Sequence, residues 1–147
     1  MSNIDPEIIL VRLRLIAKYY NTLEKFRSTS IDDFLADFHQ QLVVERLLQL
    51  MTQAAIDINE HILSKLNPGK SETNFDAFIE LGQYGVISTE LATQLAPSAG
   101  LRNRLVHEYD DIDPKQVFKA ISFVLELYPL YVRQLNNYLI SLDVEND

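Results

Sequence analysis

The sequence contains no cysteine, so the chain can form neither a disulfide bond nor a thiolate metal site. Glycine and proline are also scarce, with four and five residues among 147. These counts exclude a low-complexity chain, and the scarcity of turn-forming residues beside abundant leucine and isoleucine favours helices over strands. A chain without cysteine fits the reducing cytoplasm, where we expect it to act.

Long hydrophobic runs and targeting segments are missing as well. The apolar stretch 8–11 is followed at once by Arg12, and acidic residues precede it where a signal peptide would be basic. The later run 120–132 contains Glu126 and Pro129 and is too short to cross a bilayer. We therefore expect no membrane segment.

Several catalytic and binding motifs are absent. No glycine pattern of a P-loop or a dinucleotide site occurs, and no serine or cysteine stands in a nucleophile arrangement. The pair His107-Glu108 lacks the second histidine of a zinc protease helix. Asp110, Asp111 and Asp113 lack the glycine and the final glutamate of an EF-hand loop. We expect no metal and no cofactor.

Basic residues are outnumbered by acidic ones, 13 to 21, which gives a net charge of −8. Phosphate repulsion makes such a chain a poor non-specific binder of nucleic acid, unless positive charge is concentrated locally. The charge disfavours a helix-turn-helix DNA reader. It also fits a basic protein partner.

The apolar residues recur at helical spacing along most of the chain. Hydrophobic residues make up 47% of the sequence, enough for one core, and the length suits one domain over residues 1–147. Helix starts are indicated at Asp5-Pro6, Ser88 and Asp113-Pro114, and breaks at 28–30 and 67–70. The sequence predicts an all-α, up-and-down bundle of about five helices.

Two polar rows lie on the predicted helices. The first comprises Arg14, Lys18, Asn21 and Lys25, which would form either a basic track for an RNA backbone or a solvated face, the interpretation we favour. The second comprises Arg46, Gln49, Gln53, Asp57 and His61. Asp57 and His61 are four residues apart and could pair on the surface, or Asp57 could be directed toward a catalytic pocket.

An arginine, an asparagine, a histidine and a tyrosine crowd together only between residues 101 and 109. On a helix, Arg102, Asn103 and His107 fall at about 0°, 100° and 140°. Asn103 and His107 are one turn apart, so the amide could contact and orient the imidazole. Tyr109 would line up with Arg102 if the helix persisted, and Arg104 points to the outer side.

These residue types suit phosphodiester chemistry without a metal. A histidine can move a proton to or from a ribose hydroxyl near neutral pH. An arginine can hold a phosphate and stabilise the charge that builds on it. The alternative is that a helix carries these residues by chance, and spacing alone favours that alternative.

The segment 102–109 reads R-N-x3-H-x-Y and resembles the motif of the HEPN superfamily, in particular its HepT-like branch. The flanking segments 99–101 and 110–114 and the helix containing 43–58 are similar to that branch too. The resemblance implies an all-helical, metal-independent endoribonuclease that is the toxin of a toxin–antitoxin pair. It assigns Arg102 to the phosphate, His107 to proton transfer and Asn103 to a polar contact.

The resemblance further implies a homodimer in which two motif helices meet in one cleft. Two copies of Arg102, Arg104 and His107 would then create positive potential within an acidic body. Asp57 would have a supporting role, since a similar acidic position recurs in HepT-like chains. The implied partner is a minimal nucleotidyltransferase antitoxin, which would transfer AMP to Tyr109 and block RNA by bulk and negative charge.

Two other functions are compatible with the sequence. The chain could be a non-catalytic subunit that presents a nucleotide or substrate to a nucleotidyltransferase, with the motif binding phosphate without cleaving it. It could also be a plain helical scaffold. Loss of RNA cleavage on replacing His107 would separate the nuclease from both.

Overall fold

The chain folds into α-helices joined by short connections. The computed structural model describes residues 4–69, 71–108 and 110–146. Its helices are, in chain order, α1 (Pro6–Leu23), α2 (Ile31–Ala36), α3 (Phe38–Leu66), α4 (Asn74–Gln83), α5 (Thr89–Leu95), α6 (Pro97–His107) and α7 (Pro114–Asn146). A 3₁₀ turn, Glu24–Phe26, extends α1.

The predicted all-α class is confirmed, and the described residues contain no strand. Five helices have ten residues or more, α1, α3, α4, α6 and α7, as the prediction of about five helices requires. Two short helices, α2 and α5, of six and seven residues, bring the described total to seven.

The helix starts follow the predicted capping residues. The side chain of Asp5 accepts from the backbone N–H of Glu7, and that of Ser88 accepts from Leu91. The Asp113 carboxylate accepts from the backbone N–H of Lys115 at the start of α7. Each bond satisfies a backbone donor that the first turn of a helix leaves free, so these residues fix where the helices begin.

Helix α3 is the centre of the bundle. It contacts α1, α2, α4, α6 and α7, and its buried side chains extend from Val44 to Leu63. Helix α1 runs antiparallel to α3, because the start of α1 meets the end of α3. The backbone N–H of Asp5 donates to Nε2 of His61 at 3.1 Å, and Arg12, later in α1, meets Asp57, earlier in α3.

A buried tyrosine ties α7 to α3. Tyr131 is 0% exposed, and its hydroxyl lies 3.1 Å from the carbonyl oxygen of Ala55 and 2.6 Å from Oδ1 of Asn59. The 2.6 Å contact is a normal length for O–H···O and short for N–H···O. Oδ1 of Asn59 therefore faces the tyrosine and its amide nitrogen faces away.

No helix in the described ranges is both long enough and apolar enough to cross a membrane.

Tyr131→Phe should destabilise the fold by about 1–3 kcal/mol, because it leaves the buried Oδ1 of Asn59 without a donor. Tyr84→Phe is the matched control. Because Tyr84 is 45% exposed, this substitution should change the free energy of unfolding by less than about 0.5 kcal/mol. Urea unfolding followed by circular dichroism measures both variants. Equal midpoints for Tyr131→Phe and the wild type would show that the hydroxyl is not a structural donor.

Candidate active site

Helix α6 carries the arginine–histidine motif along the side of α3. Its buried residues Leu101 and Leu105 are one turn apart and pack in the core. A single residue, Ala96, separates α5 from α6, as expected from the proline that follows it. Because α6 is anchored by one apolar face, the remaining faces hold the motif residues at its edge and in solvent.

Arg102 is half-buried and held by two hydrogen bonds. Its Nε donates to Oε1 of Gln53 at 2.7 Å, and its Nη1 donates to Oδ1 of Asn103 at 3.2 Å. These bonds use only part of the donor set of the guanidinium, so N–H groups remain to bind a phosphate. The side chain is therefore fixed at the α3–α6 contact and is not turned out into open water.

A second hydrogen bond orients the amide of Gln53. Its Nε2 donates to Oδ1 of Asp57 at 2.9 Å, and Oδ2 of the same carboxylate lies 3.9 Å from Nε of Arg12. An ionised carboxylate can only accept, so it forces the nitrogen of Gln53 toward itself and the oxygen toward Arg102. Asp57 thus acts on Arg102 through Gln53, without touching it.

His61 belongs to a different contact from Asp57, although the two were candidates for a pair. Its Nε2 accepts from the backbone N–H of Asp5. Partial burial, and then the charge of Lys65, lower the pKa of His61, which favours the neutral ring that can accept this bond. His61 therefore has a structural place at the start of α1.

His107 lies in the last turn of α6 and is exposed. Among the residues that the structure describes, none is hydrogen-bonded to its imidazole. The anticipated contact with Asn103 is replaced by the bond from Arg102 to Asn103. The imidazole is thus accessible to a substrate and is not sealed in the core.

Arg102 and His107 point in different directions within one chain. Five residues on a helix correspond to a rotation of about 140° and a rise of about 7.5 Å. Arg102 accordingly faces α3, while His107 faces solvent. Within one chain, a phosphate must span the side of α6 between these two side chains to contact both. Otherwise a second chain must supply either the arginine or the histidine.

The remaining candidate side chains in the described part of the chain are exposed. Arg104 is exposed on α6, and the basic row of α1, from Arg14 to Lys25, is exposed throughout. Tyr109, the candidate for modification, lies outside the described residues. Within the described ranges, no group of three or more histidine, aspartate or glutamate side chains is arranged to hold a metal ion.

A cavity of about 580 Å³ opens beside the motif helix. It lies between α3, α4 and the connection before α4, and Asn103 is one of its lining residues. Sequence reasoning missed both this cavity and Gln53. Gln53 belonged to a recognised polar row, and its spacing of four residues from Asp57 was the available signal.

The family model of the HepT-like ribonucleases matches residues 16–135. A curated tRNA nuclease HepT from Aphanizomenon flos-aquae is 68% identical over 147 residues, covering 100% of both chains. An mRNA nuclease HepT from Shewanella oneidensis is 27% identical over 126 residues, which cover 86% of this chain and 94% of that protein.

A solved structure shows the same fold. It is a tri-AMPylated Shewanella oneidensis HEPN toxin in complex with an MNT antitoxin. The match has a TM-score of 0.77 at 26% identity and covers 93% of this chain and 99% of that one.

Proposed function

The chain belongs to the HepT-like ribonuclease family and is an endoribonuclease; we propose that it cleaves RNA with Arg102 and His107. The observation that carries this proposal is the anchored guanidinium and the exposed imidazole on one helix. The first is held ready for a phosphate, and the second is accessible for proton transfer.

The proposed reaction uses the RNA's own 2′-hydroxyl as the nucleophile. His107 takes the proton of this hydroxyl, and the oxygen attacks the adjacent phosphorus. The bond from phosphorus to the 5′-oxygen of the next nucleotide breaks, and that oxygen receives a proton. The products are a 2′,3′-cyclic phosphate and a 5′-hydroxyl, and Arg102 stabilises the charge on the phosphoryl oxygens during the displacement.

We place this reaction at the meeting point of two chains. Within one chain, Arg102 and His107 face different directions, so a second motif helix would complete the group around one phosphate. His107 of the partner subunit would then donate the proton that the leaving oxygen needs. Two copies of Arg102 and Arg104 would also overcome the charge of −8 locally.

The proposed substrate is tRNA. The relative that supports this is 68% identical over the full length of both chains and is named a tRNA nuclease. The relative named an mRNA nuclease is 27% identical. Cleavage of tRNA in preference to mRNA is therefore the expectation for this chain.

We further propose that the chain is the toxin of a pair with a minimal nucleotidyltransferase antitoxin. The support comes from the similar toxin that carries three AMP groups in its complex with such an antitoxin. Tyr109 is the residue in the matching motif position, two residues after His107. An AMP group there would place bulk and negative charge beside the imidazole and repel the RNA backbone.

His107→Ala should lower the rate of tRNA cleavage by at least about 100-fold, the usual contribution of a proton-transfer group. His39→Ala is the matched control, because His39 is an exposed histidine at the start of α3, outside the motif. Cleavage is followed on gels with purified protein, and circular dichroism verifies the fold. A His107→Ala protein that cleaves at the wild-type rate would rule out the proposed mechanism.

Co-expression with a minimal nucleotidyltransferase antitoxin, the proposed partner, should add AMP masses to the wild type and none to Tyr109→Phe. Intact-mass spectrometry measures the additions. Tyr84→Phe, an exposed tyrosine elsewhere in the chain, should be modified like the wild type. AMP additions that persist in Tyr109→Phe would refute the assignment of this residue.

A further inference from the structure

The cavity beside α6 contains a buried polar group without a partner. Asn59 lines it and is 1% exposed. Its Oδ1 faces Tyr131, and its Nδ2 has no hydrogen-bond partner among the described residues. A buried donor left unpaired is costly, so this amide calls for a partner that the described residues do not supply. We call this space the Asn59 cavity.

The walls of the Asn59 cavity combine apolar side chains with acidic acceptors. Ile56, Leu63 and Ala77 provide the apolar part, and Glu60 and Glu72 lie among the lining residues. Carboxylates repel a phosphate and accept hydrogen bonds from amino groups. The lining therefore suits an uncharged, partly apolar group that has an acceptor for Asn59 and an amino donor for a carboxylate.

Side-chain contacts hold the outer wall in place. This wall includes Pro68 and residues 71–73, which lie between α3 and α4, and Glu80 of α4 bonds to this stretch at two points. Nδ2 of Asn67 donates to one carboxylate oxygen at 3.3 Å, and the Ser71 hydroxyl donates to the other. The cavity is thus formed before any ligand enters, as is usual for small-molecule sites.

The Asn59 cavity is joined to the proposed phosphate site by a single side chain. Asn103 lines the cavity, and its Oδ1 accepts from Nη1 of Arg102 at 3.2 Å. A nucleotide whose phosphate binds Arg102 would therefore have its base beside the mouth of the cavity. The acidic lining keeps the phosphate outside, with the cations of α6.

Resting on the proposed ribonuclease function, we propose that the Asn59 cavity binds a base of the RNA substrate beside the cleaved bond. The base is one that carries an exocyclic amino group. Adenine, cytosine and guanine each offer that donor together with a ring or carbonyl acceptor for Nδ2 of Asn59. Uracil has no amino group and is disfavoured.

The test measures base preference at the cleavage site. The cleaved bond in the RNA is first mapped with the wild-type protein. The base on each side of that bond is then replaced by each of the four RNA bases in turn. At one of these two positions, amino-bearing bases should be cleaved roughly tenfold faster than uracil, the scale of a hydrogen bond that uracil cannot make. Equal rates for all four bases at both positions would overturn the proposal.

Two sets of variants locate the preference in the Asn59 cavity. Asn59→Leu removes the buried donor. The combined change Glu60→Gln and Glu72→Gln removes the acidic acceptors. Both glutamates are exposed, so the double variant should fold normally. Loss of the preference in either folded variant supports the proposal. Glu90→Gln, an exposed change on α5, should keep it. A preference unchanged in both sets would overturn the proposal.

A binding measurement separates failure of this inference from failure of the ribonuclease function. The wild type is titrated calorimetrically with AMP and with UMP, and the titration is repeated with the double glutamate variant. Tighter binding of AMP that disappears in the variant supports base recognition, even in a protein that cuts no RNA. Equal affinities for AMP and UMP in the wild type contradict it, whatever the cleavage assay shows.

Discussion

The hydrogen bond from Nε of Arg102 to Oε1 of Gln53 is the contact on which the proposed site depends. An arginine has many rotamers, and restricting them before substrate arrives lowers the cost of binding and positioning a phosphate. Gln53 supplies this restriction from α3, because its own amide is oriented by Asp57. The pair of contacts converts a flexible cation into a fixed one while leaving N–H groups for the substrate.

Helix α3 therefore has two roles, as the centre of the core and as the support of the site. One of its faces buries the residues that hold the bundle together, including Asn59 with its contact to Tyr131. A neighbouring face of α3 directs Gln53 toward α6 and Asp57 toward α1. Because a long, packed helix is rigid, the guanidinium and the Asn59 cavity keep a fixed separation.

Much of the fold followed from the sequence, because local signals determine helices. Capping at Asp5 and Ser88, the breaks between helices and the apolar spacing gave the helix order, and the motif on α6 indicated the site. A helical wheel gives neighbours only within one helix. It offered His61 as a partner for Asp57 and His107 as a partner for Asn103. His61 instead accepts from Asp5 at the start of α1, and Asn103 accepts from Arg102, which is held by Gln53 of α3. The Asn59 cavity depends on packing between helices, which spacing does not report.

The most direct measurement is a double-mutant cycle for single-turnover RNA cleavage, using Gln53→Leu, Arg102→Lys and both together. If Gln53 acts by holding Arg102, Gln53→Leu alone should slow cleavage by roughly tenfold and should have little further effect beside Arg102→Lys, which removes the bonded Nε. Gln49→Leu, one turn earlier on α3, should leave the rate unchanged. If the rate reductions of the two single variants multiply in the double variant, the central claim that the glutamine positions the arginine is contradicted.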